Sequence, residues 1–359
     1  MVKEYQQTAK IGLREIAAIA GVSISTASRV LNGNSRVDSA LQKTVLDAAA
    51  RLEVDLSRRD KAKALVFLVG NRGMSDAFHS RILLGAEASC VANGWDILFL
   101  SFNYSSKTPW KELHLPKLVH RHDLVRGVIL TGTNFVNLIE LLYQKGITSV
   151  VLGNNIFGDP QSLKTDMVFS DEIQGGSDVT RYLIGLGHRH IWFVGNNRLP
   201  WFDRCFDGFR LAMEDAGLAP RLSSIDSEDS TEIGYLGTKS LLARGEPVTA
   251  IFAGNDPTAH GVYRALRDSG RSIPDDVSVV GCNDTLGGTM YPALTTIREF
   301  PEQLGKQMVE LIINRISNPL SPPQSVTIPT ELIKRDSCKQ VATQVTKPSK
   351  ESAQEVLTR

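Results

Sequence analysis

The chain has 359 residues, 42% hydrophobic and 22% charged; this excludes a fibrous or wholly disordered protein and leaves room for two or three domains with sizeable cores. Its apolar runs, such as Gly127–Leu130 and Val150–Leu152, fall far short of the roughly 18 residues of a membrane span, and the polar Met1–Lys10 segment lacks the apolar core of an export signal. The net charge of +1 hides an asymmetry: residues 1–63 carry 11 Lys and Arg against 7 acids, so this segment is +4 and the remainder −3, which points to a polyanionic partner or to a merely solvated basic surface.

In chain order, the first sixty residues read as three short helices. Leu13, Ile16, Ala17 and Ala20 recur at helical spacing and Gly21 stops the helix. Ser23 is placed to cap Ile24–Leu31, where Ala27, Val30 and Leu31 form an apolar face. Asn32-Gly33-Asn34 is a turn, and Asp38 is placed to cap a third helix that buries Leu41, Val45, Leu46, Ala49 and Leu52. From Ala64 short β-branched runs alternate with amphipathic helices: Ala64–Val69, 81–93, Asp96–Phe102, Val128–Leu130, 137–146, Ser149–Leu152, 175–187, His190–Val194, 205–217, 235–244, Ala250–Ala253, 258–270 and Val277–Val280. Such alternation predicts parallel sheets with helices on both faces, here enough for two doubly wound lobes with a ligand cleft beyond the carboxyl ends of their strands. The polar segment 338–359 reads as a disordered tail.

The stretch Leu13 to Asn32 has the spacing of a helix-turn-helix, two short helices crossing through Gly21-Val22-Ser23. The second helix offers Ile24, Ser25, Thr26, Ser28 and Arg29 to a major groove. Arg29 suits a two-pronged bond to a guanine edge and Ile24 a thymine methyl. Ser23, Thr26, Ser28 and Asn32 suit phosphate contacts that fix register. The alternative is a three-helix protein-interaction module with a solvated Arg29. This segment, Gly21-Val-Ser-Ile-Ser-Thr-Ala-Ser-Arg-Val-Leu-Asn32, closely resembles the headpiece of the LacI/GalR family of bacterial transcription regulators. The resemblance continues in Gly187-His-Arg-His190, Asn255-Asp256, Ile273-Pro-Asp-Asp-Val-Ser-Val-Val-Gly281 and Leu294-Thr-Thr-Ile297, so it spans roughly residues 11–337 in family order.

The resemblance implies an α/β fold of two doubly wound, Rossmann-like lobes, similar to a periplasmic sugar-binding protein, behind a small all-α helix-turn-helix headpiece. The expected division is a headpiece at 1–56, a short basic hinge at 57–63 and an effector-binding and dimerisation body at 64–337. Lobe 1 takes about 64–167 and 299–326, and lobe 2 about 168–298 and 327–337. It also implies a double-stranded DNA operator, a homodimer, and a small polar effector, a sugar or its derivative, in the cleft. Cleft positions by resemblance are Asp76 and Phe78, where family members often carry an asparagine-proline-phenylalanine run, Asn255 with Asp256, and Asn283, where an aspartate is usual. Phe78 and Trp201 suit either stacking on a sugar ring or ordinary packing. Arg204 lies one residue off the family's effector arginine, a slot held here by Cys205. The hinge departs more: Leu52-Glu-Val-Asp-Leu-Ser-Arg-Arg-Asp-Lys-Ala-Lys63 lacks the family's proline and is several residues short. Leu56 is the leucine nearest the minor-groove position, and Arg58 and Arg59 offer backbone attraction instead.

An enzyme is disfavoured, because the chain has no phosphate-cradling glycine loop and no Gly-x-Ser-x-Gly elbow. The four cysteines, Cys90, Cys205, Cys282 and Cys338, form no Cys-x-x-Cys pair, which argues against a disulfide framework or a zinc site and for reduced thiols in the cytoplasm; no cofactor is expected. Asp275-Asp276 reads as a solvated loop and His188 and His190 as helix-end caps. The sequence therefore predicts a sequence-specific DNA-binding regulator, a repressor, with no membrane partner. The second reading is a cytoplasmic sugar-binding sensor, or carbohydrate-related protein, that lacks specific DNA binding.

Overall fold

The computed structural model describes residues 13–31, 38–52, 63–73 and 76–341. The headpiece is three helices, α1 (Leu13–Ala20), α2 (Ile24–Leu31) and α3 (Ser39–Arg51), around a core of Ile16, Ala17, Ala20, Ala27, Val30, Val45, Ala48 and Ala49. Small side chains let the helices approach. Gly21 ends α1 at φ +63°, a left-handed backbone that glycine adopts without a Cβ clash. The hydroxyl of Ser23 accepts from the Thr26 N–H at 3.1 Å and Asp38 accepts from the Ala40 N–H at 2.8 Å, so both expected caps form. Leu41 and Leu46, expected inside, are exposed. The buried stripe of α3 runs through Val45, Ala48 and Ala49; Leu46 is one position off that stripe, and Leu41 lies beyond its end.

The body holds two sheets. In the first, β1 (Ala64–Gly70) lies between β2 (Asp96–Phe102) and β3 (Val125–Gly132), followed outward by β5 (Ser149–Leu152), β7 (Asp166–Ser170) and β13 (Ser325–Ile328), all parallel. All seven residues of β1 are buried, as a central parallel strand with covered faces requires. Helices α4 (Ala77–Ala92) and α10 (Pro301–Ser317) cover one face and α5 (Val136–Gln144) the other. Strands β4 (Asn134–Phe135) and β6 (Ile156–Phe157) pair separately. In the second sheet, β8 (Ile191–Gly195) lies between β9 (Arg221–Ser224) and β10 (Ala250–Ala253), followed by β11 (Ser278–Asn283), β12 (Thr295–Arg298) and the antiparallel β14 (Glu331–Ile333). Helices α6 (Glu172–Gly185) and α7 (Pro200–Asp215) cover one face, α8 (Ser230–Ala243) and α9 (Asp256–Arg267) the other.

Each covering pair packs backbone to backbone through reciprocal glycines. A Cβ on Gly85 of α4 would stand 2.0 Å from the Glu302 carbonyl of α10, and one on Gly305 of α10 would stand 2.0 Å from the Ile82 carbonyl of α4. Gly208 meets Ile173 at 2.1 Å, Gly234 meets Thr258 at 2.0 Å and Gly261 meets Thr231 at 2.1 Å in the same way. Lobe 1 is further tied by Arg315, whose Nε and Nη2 each lie 2.7 Å from a carboxylate oxygen of buried Asp166.

The chain crosses between lobes three times. The crossings fall after Ser170, after Arg298 and after Ile328, each two or three residues beyond or at the expected limits. Strand β7 is what moves the first limit from 167: it completes its pairing with β5 and β13 before the chain leaves lobe 1. The expected tail from 338 also begins too early. Lys339 N–H donates to Ser278 Oγ at 3.1 Å, Val341 N–H donates to the Leu186 carbonyl at 2.9 Å, and the Lys339 carbonyl bonds His188 Nε2 at 3.1 Å. Residues 342–359 lie outside the described residues. Among the described residues no helix is long and apolar enough to cross a membrane.

Candidate functional site

Two surfaces gather the polar side chains that a regulator would use. On the headpiece, α2 turns Ala27 and Val30 inward and leaves Ile24, Ser25 and Arg29 exposed, with Thr26 and Ser28 half-buried. The Ser23 hydroxyl is engaged locally, with the Ser25 and Thr26 hydroxyls at 2.8 Å each. Among the proposed DNA contacts, Asn32, Arg58 and Arg59 lie outside the described residues, as does Leu56.

The second surface is the cleft between the lobes. Its groups come from the carboxyl ends of strands in both sheets: Arg72 and Asp76 after β1, Asn155 after β5, Glu172 after β7, Asn255 after β10, Asn283 at the end of β11 and Glu299 after β12. Together with Phe78, His79, Trp201 and Cys205 they enclose a cavity of about 40 Å³. Arg72, Asp76 and Trp201 also line an outer space of about 590 Å³ that is walled by Asn71, Thr133, Glu228 and Asp229. The Arg72–Trp201 contact therefore divides the cleft. Ligand pockets run to about 300–1,000 Å³, so a sugar-sized molecule fits the inner chamber only when this partition opens.

Asp76 caps α4, accepting from the Phe78 and His79 N–H groups at 2.9 and 3.2 Å, and pairs with His79 Nδ1 and Arg72, each at 3.3 Å. Burial pushes its carboxyl up, but His79 and Arg72 overcome this and hold it well below the usual range. Burial lowers the Arg72 guanidinium, against the pull of Asp76 and Glu228. Asn255 caps α9 through the Thr258 N–H at 2.8 Å. Asn283 sits at φ 86° with its Oδ1 accepting from the Thr285 hydroxyl at 2.8 Å, which leaves it a short polar side chain on a turned backbone at the cavity wall.

Two expected cleft residues are placed otherwise. Asp256 is fully buried behind the wall, accepting from Thr296 Oγ1 at 2.6 Å and from the Leu286 and Gly287 N–H groups at 3.0 and 2.9 Å, and burial pushes it up to about 6. Its carboxylate is spent on tying the 286–287 loop to α9. Arg204 does not line the chamber; it donates from Nε to Glu172 at 3.2 Å and lies over the Phe169 ring of lobe 1 at 5.3 Å. Nor is His188 the helix cap: Arg189 donates to the Ile184 carbonyl at 3.0 Å, while His188 holds Thr249 and Lys339.

Sequence reasoning passed over Arg72, His79, Asn155, Glu172 and Glu299. The signal available was position for two of them: Arg72 and Asn155 each lie three residues beyond an expected strand, whereas Glu172 and Glu299 follow β7 and β12, which the alternation did not include, and His79 lies in the first turn of α4. Glu172 and Glu299 are both buried acids. Burial and the nearby Glu299 push Glu172 well up, against Arg204; burial takes Glu299 up to about 7 despite the Cys282 thiol donating to it at 3.0 Å. Cys205 and Cys282 are both free and buried with their sulfurs 3.5 Å apart. Their bond lowers the Cys205 thiol, but burial and the two glutamates outweigh it; the same bond, then burial, raises the Cys282 thiol, which keeps both protonated and unreactive. Among the described residues no group of three or more His, Cys, Asp or Glu is arranged to hold a metal ion.

Comparison with known proteins then decides the family. The model of bacterial regulatory proteins of the lacI family matches residues 12–53, and that of the periplasmic binding protein-like domain matches 180–338. The chain belongs to the LacI/GalR family of bacterial transcription regulators. It is 28% identical over 338 residues to the HTH-type transcriptional regulator CelR of Thermobifida fusca, covering 90% of this chain and 97% of that one. It is 28% identical to the ribose operon repressor of Haemophilus influenzae over 90% of this chain and 98% of the other. The solved CelR–cellobiose complex superposes with a TM-score of 0.66 at 28% identity, covering 91% of this chain and all of that one. The LacI/GalR assignment accounts for both surfaces at once: a helix-turn-helix ahead of a two-lobed body.

Proposed function

We propose that this regulator is a homodimeric repressor that reads a near-palindromic operator through α2 and releases or tightens on it when a small polar ligand, a sugar or sugar derivative, enters the interlobe cleft. Its place of action is the cytoplasm, where the operator is. The contacts proposed for DNA are Ser23, Ile24, Ser25, Thr26, Ser28, Arg29 and Asn32, with Arg58 and Arg59 on the backbone beside them. Those proposed for the effector are Asp76, Phe78, Trp201, Asn255 and Asn283, joined by Arg72, Asn155 and Glu299. The observation that carries the reading is the convergence of strand ends from both sheets on one polar chamber with aromatic walls at Phe78 and Trp201. Hydrogen-bonding amides with aromatic faces suit a hydroxyl-rich ring. The cellobiose complex of CelR and the ribose operon repressor support a sugar as the ligand class.

The coupling is thermodynamic. A ligand that favours one lobe arrangement changes DNA affinity only if DNA favours the other or the same arrangement, and each then alters the other's affinity by an equal factor. Two-fold protein symmetry imposes two-fold symmetry on the site. The test is selection of bound duplexes from a random pool with the full-length chain. Enrichment of one motif with an inverted repeat supports the proposal; a pool that stays random, or a motif without two-fold symmetry, contradicts it.

A further inference from the structure

We infer that the effector carries a protonated amine, as an amino sugar does, and that Glu299 at the floor of the interlobe chamber receives it. The inference rests on the proposed ligand site and narrows the chemistry of what enters it. The chamber's charges pair off with one acid left over. Arg72 is matched by Asp76 at 3.3 Å, and its Nε is engaged by Thr133 Oγ1 at 2.9 Å. Arg204 is matched by Glu172 at 3.2 Å. Asp256 is satisfied by a hydroxyl and two backbone N–H groups. Glu299, only 4% exposed, lines the cavity and receives its hydrogen bond from the Cys282 thiol at 3.0 Å, a weak donor.

The groups around Glu299 make a cation more welcome still. Asp256 from α9 and Asp76 from the α4 cap face it with negative charge, opposed by Arg204 from α7; Glu172 from α6, pushed well up by burial and by Glu299 itself, adjoins it, and Arg72 after β1 and His79 of α4 line the same chamber. An ammonium group here makes a bond in which both partners are charged and relieves like-charge repulsion; a neutral hydroxyl can donate to the carboxylate but offsets none of that repulsion. The size fits as well, since about 40 Å³ takes a small group but not a sugar ring. The wall already accepts a cation: the Arg72 guanidinium lies 4.2 Å from the centre of the Trp201 ring. An anionic effector finds no such vacancy, because both arginines are already paired with carboxylates.

The test is calorimetric titration of the full-length chain at about pH 7.5 with glucosamine, galactosamine and mannosamine, each beside its neutral parent hexose and its N-acetyl derivative, which keeps the nitrogen but not the charge. In at least one set the amine is expected to bind about tenfold tighter than both companions. Glu299→Gln keeps the shape and is expected to bring amine and parent within about twofold. A second reading comes from the wild-type chain: affinity for the amine should fall as pH is lowered through about 7, where Glu299 takes up a proton, while that for the neutral parent stays level. A parent or N-acetyl sugar that binds as tightly as the amine in every set overturns the inference and leaves a sugar cleft standing. So does an amine preference that survives Glu299→Gln. Silence from every sugar, with operator binding intact, removes the sugar class as well and leaves the regulator.

Discussion

The Arg72 guanidinium of lobe 1 lies 4.2 Å from the centre of the Trp201 ring of lobe 2. Asp76 and Thr133 fix the cation on its own lobe, so the stack is a clasp between two bodies. Opening the cleft separates it. Such a contact is worth about 0.5–2 kcal/mol depending on its desolvation, enough to shift a closed–open equilibrium by about two- to thirtyfold. Trp201→Ala should enlarge the radius of gyration of the ligand-free protein in small-angle scattering. An unchanged profile would mean that the clasp does not govern closure.

Arg29 stands exposed on α2, the helix proposed to enter the major groove. Arg29→Ala should cost about 1–3 kcal/mol at the operator and flatten the preference at one base position of each half-site, while ligand titrations of the cleft stay unchanged. Retained base preference would show that another face reads the DNA.

The reciprocal glycines predict a sharp packing penalty. Adding a methyl at Gly305 puts carbon 2.0 Å from the Ile82 carbonyl, a backbone atom that cannot swing aside. Gly305→Ala should destabilise the protein by about 1–3 kcal/mol or more through forced separation of α4 and α10. Thermal melting checks this, with Gly288→Ala, where no atom lies within 4 Å of the new Cβ, as the comparison.

Glu299 sets a pH dependence. Its folded value, about 7, lies above the ordinary glutamate value of 4.5, because burial disfavours the charged form. The folded state therefore holds the proton more tightly than the unfolded chain. The stability linked to that proton is full below about 4.5 and is lost as pH rises through about 7. Asp256, raised to about 6, acts in the same direction over a lower range. Glu299→Gln should thus gain stability relative to the wild type at alkaline pH and little or none in acid. Urea melts of both proteins across this range check it; parallel curves would place the dependence elsewhere.

How far the sequence reveals this molecule depends on the range of the interaction involved. Ser23, Asp38 and Gly21 act within four residues, so their caps and turn were legible. Strand cores such as Ala64–Val69 were legible from continuous apolar runs. Two helices begin earlier than the apolar periodicity shows, at Ala77 rather than 81 and at Pro200 rather than 205: α4 opens on the single capping residue Asp76, and α7 opens on Pro200 with no side-chain cap to mark it. The cleft was half legible. Asp76, Phe78, Trp201, Asn255 and Asn283 reach the chamber, whereas Asp256 was misread because only the fold shows Thr296 and the 286–287 backbone enclosing it. Glu172 and Glu299 were invisible as a pair, since 127 residues separate two acids that share one electrostatic environment.

The most direct measurement is fluorescence anisotropy of the full-length chain with duplex DNA from upstream of its own gene, beside a scrambled duplex, at about 50 and 200 mM salt. The account predicts tight binding to the upstream duplex, weaker binding to the scrambled one, and a loss of affinity at the higher salt as released counterions require. Equal, weak binding to both duplexes, unchanged by any ligand that the cleft takes up, would contradict it.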